Sequence, residues 1–350
     1  MEEELLSISR NELECLLLLV SIEGNASNIM PFCGRLYGPD GERYTPTLMA
    51  PRQVDIEEDC IALRQAMKGI GTDEGTIVDI LGNRSMHQRL RIKEHYKACF
   101  GKDLIEETDN KLSSNFKDLV KTLLYDRATV NAKAMYKAMK GGGTNERTIA
   151  EILCTSSNRE IEEMKEAYKN VLAEEGIHDT DRTLERDLER ELTILDRSLV
   201  ESDTREIYGA GEGRLGTDED TIIRIITTRN IWHIKAVASL YEAKSGTPLL
   251  DAIHSETRGD FRDALKLLVS TCISPTQVFS ELLRNAMAGA GTKDSTLIRI
   301  IVMHCESDLG NISKQFEKDQ GEVLEKWIRK ETSGNYRRLL LVLLGCNHHS

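Results

Sequence analysis

Apolar residues recur three and four positions apart along most of this chain, as at Ile77, Ile80 and Leu81 or at Ile222, Ile225 and Ile226. That spacing is the period of a helix with one buried stripe. No segment alternates convincingly between apolar and polar with period two, so the pattern predicts helices and almost no sheet. The helical phrases themselves repeat: "TIVDIL" from Thr76, "TIAEIL" from Thr148, "TIIRII" from Thr221 and "TLIRII" from Thr296. Each begins five residues after a glycine, and those glycines, Gly71, Gly143, Gly216 and Gly291, lie 72, 73 and 75 residues apart.

A second glycine punctuates each unit, at Gly101, Gly176, Gly246 and Gly321. It stands where a long helix is expected to end in a left-handed cap and another to begin. A unit near 70 residues divided in this way holds about four or five short helices, given a mean helix of roughly 11 to 12 residues. Residues 1–53 lie outside the repeats, and "GPDGERYTPTLMAP" within them reads as loop or linker. The domain reading is therefore a largely irregular extension, 1–53, followed by repeats at 54–126, 127–199, 200–272 and 273–350.

Composition narrows the function. Charged residues are 30% and hydrophobic ones 40% of the 350, with 6 prolines, which fits a soluble globular chain. The formal net charge of −12 opposes unaided binding to nucleic acid or to anionic lipid, so a membrane role needs a mediator. Eight cysteines are scattered without a C-x-x-C, which suggests a reduced, cytoplasmic chain. "LLLLV" from Leu16 is much shorter than the roughly 20 residues of a spanning helix, and "MEEE" is a poor start for a signal peptide.

The most informative phrase is the glycine turn before each threonine: "MKGIGTDE" from Met67, "MKGGGTNE" from Met139, "EGRLGTDE" from Glu212 and "MAGAGTKD" from Met287. The plain reading is a junction in which Thr72, Thr144, Thr217 and Thr292 cap the next helix. A phosphate-binding P-loop is excluded by the missing lysine placement and strand, and an EF-hand by the missing acidic loop. No Ser/His/Asp or Cys/His arrangement recurs as a motif, so no enzyme is expected. A third reading is a calcium site built on main-chain carbonyls, since Ca²⁺ takes 6 to 8 oxygens in flexible geometry. Such a site also needs a carboxylate from elsewhere. Glu331, in "KETSGNYRR", follows Gly289 by 42 positions, and Glu256, in "HSETRGDFR", follows Arg214 by the same interval.

With both loop and distant acid present, the chain from about Asp55 to Cys346 resembles the annexin family through its "MKGxGT" loops, "TIxxI" helices and "ETSG" turn. The resemblance implies an all-α fold of four repeats of about five helices each, forming a right-handed superhelix and a slightly curved disc. It further implies Ca²⁺-dependent binding to anionic, phosphatidylserine-like membranes through the convex face, with a role in membrane organisation, trafficking or repair. Carried over residue by residue, it assigns the carbonyls of Met287, Gly289 and Gly291 with the carboxylate of Glu331 to repeat 4. Repeat 3 has one extra loop residue and would use Gly211, Arg214 and Gly216 with Glu256.

Repeat 1 keeps Met67, Gly69 and Gly71, but Lys111 stands where the acid belongs and Ser114 replaces a glycine, so this site is expected to be weak or empty. Repeat 2 keeps Met139, Gly141 and Gly143; an insertion follows, and Glu191, with Asp187 as its rival, would supply the acid. Glu74, Glu146, Glu219 and Asp294 read as acids favouring helix N-termini before secondary calcium ligands. The resemblance also suggests a reversibly attached peripheral protein, a partner recruited by the N-terminal extension, self-association on membranes, and export without a signal. The rival function is a calcium-independent helical scaffold for protein partners.

Overall fold

The computed structural model describes residues 43–140, 145–175, 197–211, 218–229, 231–289 and 291–346. Repeat 1 holds α1 (Ile56–Ala66), α2 (Glu74–Leu81), α3 (Met86–Phe100), α4 (Leu104–Lys111) and α5 (Ser114–Leu123). Repeat 2 shows α6 (Arg127–Met139), α7 (Glu146–Thr155) and α8 (Asn158–Glu174). Repeat 3 holds α9 (Arg197–Ala210), α10 (Glu219–Thr228), α11 (Ile231–Ser245), α12 (Leu249–Glu256) and α13 (Gly259–Ile273). Repeat 4 holds α14 (Pro275–Met287), α15 (Asp294–His304), α16 (Leu309–Gln320), α17 (Leu324–Glu331) and α18 (Gly334–Leu343). Among the described residues there is no strand, as the hydrophobic period requires. Helix α9 starts at Arg197, ahead of the boundary placed at residue 200, and residues 176–196, where the insertion falls, lie outside the described residues.

The chain forms two compact units, one holding Arg43–Val130 with the stretch from Phe279, the other Asn131–Val278. In the first, α15 and α18 of repeat 4 pack on α2 and α5 of repeat 1. The contact is close at Gly82, where a Cβ would fall 2.9 Å from both Leu339 Cδ1 and Val342 Cγ1. Ile77, Leu81, Leu119, Leu123, Leu297, Ile301, Leu339 and Leu343 are buried there. In the second unit, α7 packs on α13 and α9 on α11 around Ile149, Ile152, Ile225, Ile226, Leu265 and Val269.

In repeats 1, 3 and 4 the second glycine of the unit does what its position suggests. Gly101 and Gly321 close α3 and α16 in the left-handed region, at φ 64° and 70°, and Gly246 follows α11 at φ 77°. Gly176 lies outside the described residues. One further clip recurs between the first helix of a repeat and the end of the second, where the chain turns toward the third. Arg84 makes two hydrogen bonds to Asp59, at 2.7 and 2.8 Å, and Arg229 makes the same pair to Asp203, which also meets His233 at 2.8 Å. The corresponding residues are Phe279 and His304 in repeat 4, with ring centroids 4.0 Å apart. In repeat 2 they are Asn131 and Ser156, and the buried Asn131 Oδ1 has no hydrogen-bond partner among the described residues.

The last part of the extension is irregular yet pinned. Tyr44 and Leu48 are buried, Thr45 N donates to Asn311 Oδ1 at 2.7 Å, Thr47 N and Leu48 N both donate to Cys305 O, and Thr47 Oγ1 donates to Leu343 O at 2.6 Å.

Candidate metal centres

Each glycine turn is closed by one backbone hydrogen bond. Asp73 N donates to Ala66 O, Asn145 N to Ala138 O and Lys293 N to Ala286 O, each spanning seven residues. In repeat 3 the bond runs from Asp218 N to Ala210 O and spans eight, so the extra residue is absorbed inside the loop. Met67 and Met287 are buried and anchor the turns. Met139 is partly buried against its unit's core. Beyond these anchors Gly69 and Gly71 take φ of 90° and 88°, and Gly289 and Gly291 take 107° and 97°. A side chain rarely adopts these angles, which is why glycine alternates here. Gly141, Gly143, Arg214 and Gly216 lie outside the described residues.

The helix caps differ from the sequence expectation. The N-caps are the residues after the threonines: Asp73, Asn145 and Asp218 accept from Thr76 N, Thr148 N and Thr221 N. Asp73 and Asp218 also take the hydroxyl hydrogen bonds of Thr76 and Thr221. Repeat 4 has Lys293 at this place and no side-chain cap. Thr72 and Thr292 are thereby released for another task. Their hydroxyls donate at 3.4 Å to the carbonyls of Lys111 and Glu331, tying each loop to the residue 42 positions beyond its first glycine.

Those distant residues occupy one structural place. Lys111, Glu256 and Glu331 are the last residues of α4, α12 and α17, three helices of eight residues each. The chain then extends for two residues and re-enters a helix through a left-handed residue, Ser114 (φ 51°), Gly259 (φ 67°) or Gly334 (φ 59°). In repeat 3, a Cβ on Gly211 would lie 3.0 Å from Glu256 Cγ, so the acid's side chain covers the start of the loop. In repeat 4, Glu331 is half-buried, and the exposed Lys330 stands 3.7 Å from it. An acid at the last residue of a helix adds to the negative end of the helix dipole, a placement that favours a cation. In repeat 1 the cation is built in: Lys111 Nζ donates to Gly69 O at 3.0 Å.

The donor set fits calcium. It joins one carboxylate to neutral carbonyls, all oxygens, which is the chemistry of a hard cation with flexible coordination. Among the described residues no three His, Cys, Asp or Glu side chains gather in one cluster, so any such site draws mainly on the main chain. Glu191 and Asp187, the acids proposed for repeat 2, lie outside the described residues.

The family model for annexins matches at residues 58–123, 130–193, 203–268 and 278–343, one match to each repeat. The chain belongs to the annexin family. Annexin A13 of Schistosoma japonicum is 48% identical over 344 residues, covering 89% of this chain and 97% of the relative. Human annexin A13 is 36% identical over 314 residues, with 84% and 97% covered. Among solved structures, calcium-bound annexin (Sm)1 superposes with a TM-score of 0.78 at 29% identity, covering 94% of this chain and 96% of that one. Annexin III gives a TM-score of 0.79 at 32% identity, with 86% and 97% covered. Calcium and phospholipid binding is characteristic of annexins. Among the described residues of this annexin no helix is long and apolar enough to cross a membrane.

Two of the four helix-start acids named from the sequence have structural partners. Glu74 accepts from Asn335 Nδ2 at 2.7 Å and Asp294 from Tyr336 Oη at 2.9 Å, both in the first turns of their helices. Arg224 pairs with Glu206 at 2.6 Å. The described cysteines are free thiols, and burial pushes Cys60, Cys154, Cys272 and Cys305 up to about 12.

Proposed function

We propose that this annexin binds anionic phospholipid in a calcium-dependent manner through repeats 3 and 4. The observation that carries the reading is the recurrence of one junction, in which a helix-terminal acid meets a glycine loop: Glu331 through Thr292, and Glu256 against Gly211. The carbonyls of Met287, Gly289 and Gly291 with Glu331 would hold Ca²⁺ in repeat 4. Gly211, Arg214 and Gly216 with Glu256 would do so in repeat 3. Bound there, the ion would supply positive charge and open coordination positions to a lipid phosphate or carboxylate. The protein's own part would be to offer neutral carbonyls from a turn that glycine enters without strain and to add a single carboxylate from a second helix. Each site is then weak, and several engaging one membrane gain avidity through their linkage. A role in membrane organisation, trafficking or repair would follow from reversible attachment of this kind.

Sedimentation with phosphatidylserine vesicles across a calcium titration tests the reading. In high salt, where contacts between exposed charges are screened, wild type should pellet only with calcium and anionic lipid. Glu256→Gln or Glu331→Gln alone should raise the half-saturating calcium concentration, and the double variant should stay in solution. Equal binding by the double variant would instead favour the helical scaffold for protein partners.

A further inference from the structure

Repeat 1 has a loop of the same build as repeat 4, with a lysine in place of the acid. Lys111 Nζ donates to Gly69 O, and Thr72 Oγ1 ties the loop to the Lys111 carbonyl. An ammonium has three donors and one is used here, so two remain for an outside acceptor. Lys111 and Lys68 are both exposed, and Ile70, between the two left-handed glycines, is completely so. The acid of the turn itself, Asp73, is exposed but hydrogen-bonded to Thr76 N and Thr76 Oγ1 at the start of α2, so its carboxylate is engaged there while Lys68 and Lys111 present their charge beside Ile70. A fully exposed isoleucine flanked by ammonium groups matches one kind of surface, apolar below and anionic above.

We propose that the repeat 1 loop docks on anionic lipid without calcium, with the Lys111 ammonium serving as a tethered cation for a lipid phosphate, Lys68 beside it and Ile70 entering the interface. The lysine takes the position that the helix-terminal acid has in repeats 3 and 4, and its side chain carries the charge that those repeats would borrow from an ion. Binding of this kind is weak in an acidic chain of net charge −12. It holds the molecule near the membrane before calcium rises, and it should be lost at high salt because exposed charges are screened. The proposal rests on the reading of this chain as a membrane-binding annexin, but it uses residues of a different repeat and no metal.

The test uses the full chain with phosphatidylserine vesicles in excess chelator at low ionic strength, beside phosphatidylcholine vesicles, inorganic phosphate as competitor, and a parallel calcium titration. Wild type should show chelator-resistant, salt-sensitive binding to the anionic vesicles. Lys111→Gln should weaken it about fivefold, the factor carried by one lysine at an anionic leaflet. Ile70→Ser, which leaves Lys111 in place, should weaken it as well. Lys111→Glu should abolish it and at the same time lower the calcium needed in the titration, because it supplies the acid that the loop lacks.

Absence of chelator-resistant binding by wild type, or unchanged binding by Lys111→Gln and Ile70→Ser, would overturn the proposal. Equal binding to phosphatidylcholine would overturn the role of the lysine, and complete displacement by millimolar phosphate would make the loop a site for the free anion. The Glu256→Gln/Glu331→Gln variant should keep the chelator-resistant binding while losing the calcium-dependent part. Failure of the calcium reading and failure of this one are therefore separately visible.

Discussion

At the scale of single residues, the junction after the fourth helix shows how one backbone geometry constrains composition. Gly259 and Gly334 pass through the left-handed region without a Cβ, whereas Ser114 does so with one, the only non-glycine among the described residues with positive φ. A left-handed L-residue costs roughly 1–2 kcal/mol, part of which glycine returns through its greater freedom in the unfolded chain. Ser114→Gly should therefore stabilise the protein by about 0.5–1 kcal/mol, read as a higher denaturant midpoint with an unchanged slope. A lower midpoint would show that the Ser114 side chain makes compensating contacts.

The departure at Ser114 was legible in the sequence because the glycine recurs in repeats 3 and 4. The partner of Lys111 was not. A lysine in an acid's register implies only repulsion of calcium, and its seat on the Gly69 carbonyl depends on how α4 ends beside the loop. The threonines show the same limit. A cap by Thr72 and a cap by Asp73 are equally good sequence signals, and the closing bond from Asp73 N to Ala66 O selects the second.

At the scale of elements, ion pairs fasten the helices within a repeat, and one of them sets a pH dependence. Glu107, on α4, is flanked by Arg64 of α1, Lys102 and the Tyr96 hydroxyl of α3. Burial alone would raise its carboxyl, but hydrogen bonds from Arg64, Lys102 and Tyr96 outweigh it and hold it at about 2, below its ordinary 4.5. A depressed folded-state value means that the unfolded chain binds the proton first as pH falls. The network's contribution is therefore complete above about pH 5 and is lost between there and pH 2. Glu107→Gln should lower stability at neutral pH by roughly 1–3 kcal/mol and should flatten the loss of stability between pH 5 and 2. Denaturant melts across that range check it; an unchanged acid slope would assign the effect to other carboxylates.

Helix existence was readable from the apolar spacing because each helix needs one buried stripe whatever it packs against. The Arg64–Glu107 and Arg229–Asp203 pairs were not readable, because 43 and 26 residues separate the partners and only folding brings them together.

At the scale of the whole molecule, the repeats are not independent beads. Repeat 1 shares a compact unit with repeat 4, and repeat 2 with repeat 3. The end of the N-terminal extension is part of the first unit: Gly310 N donates to Thr45 O at 2.9 Å, and a Cβ on Gly310 would fall 2.6 Å from that oxygen. Gly310→Ala should therefore push residues 44–48 off repeat 4. Faster hydrogen exchange and protease cleavage at that segment, with the helices unchanged, are the expected result; protection equal to wild type would show that the backbone shifts to admit the methyl group.

The sequence by itself determined the four repeats, their helical content, the glycine turns and the register that singles out Glu256, Glu331 and Lys111, because these depend on periodicity and on backbone angles that glycine alone takes easily. Only the tertiary structure decided which repeat packs with which, where the extension ends its path, and that the ammonium of Lys111 already sits on the repeat 1 loop. Those outcomes depend on contacts between residues far apart in the chain, and local pattern carries no record of which distant surface a buried stripe or a charged side chain will meet.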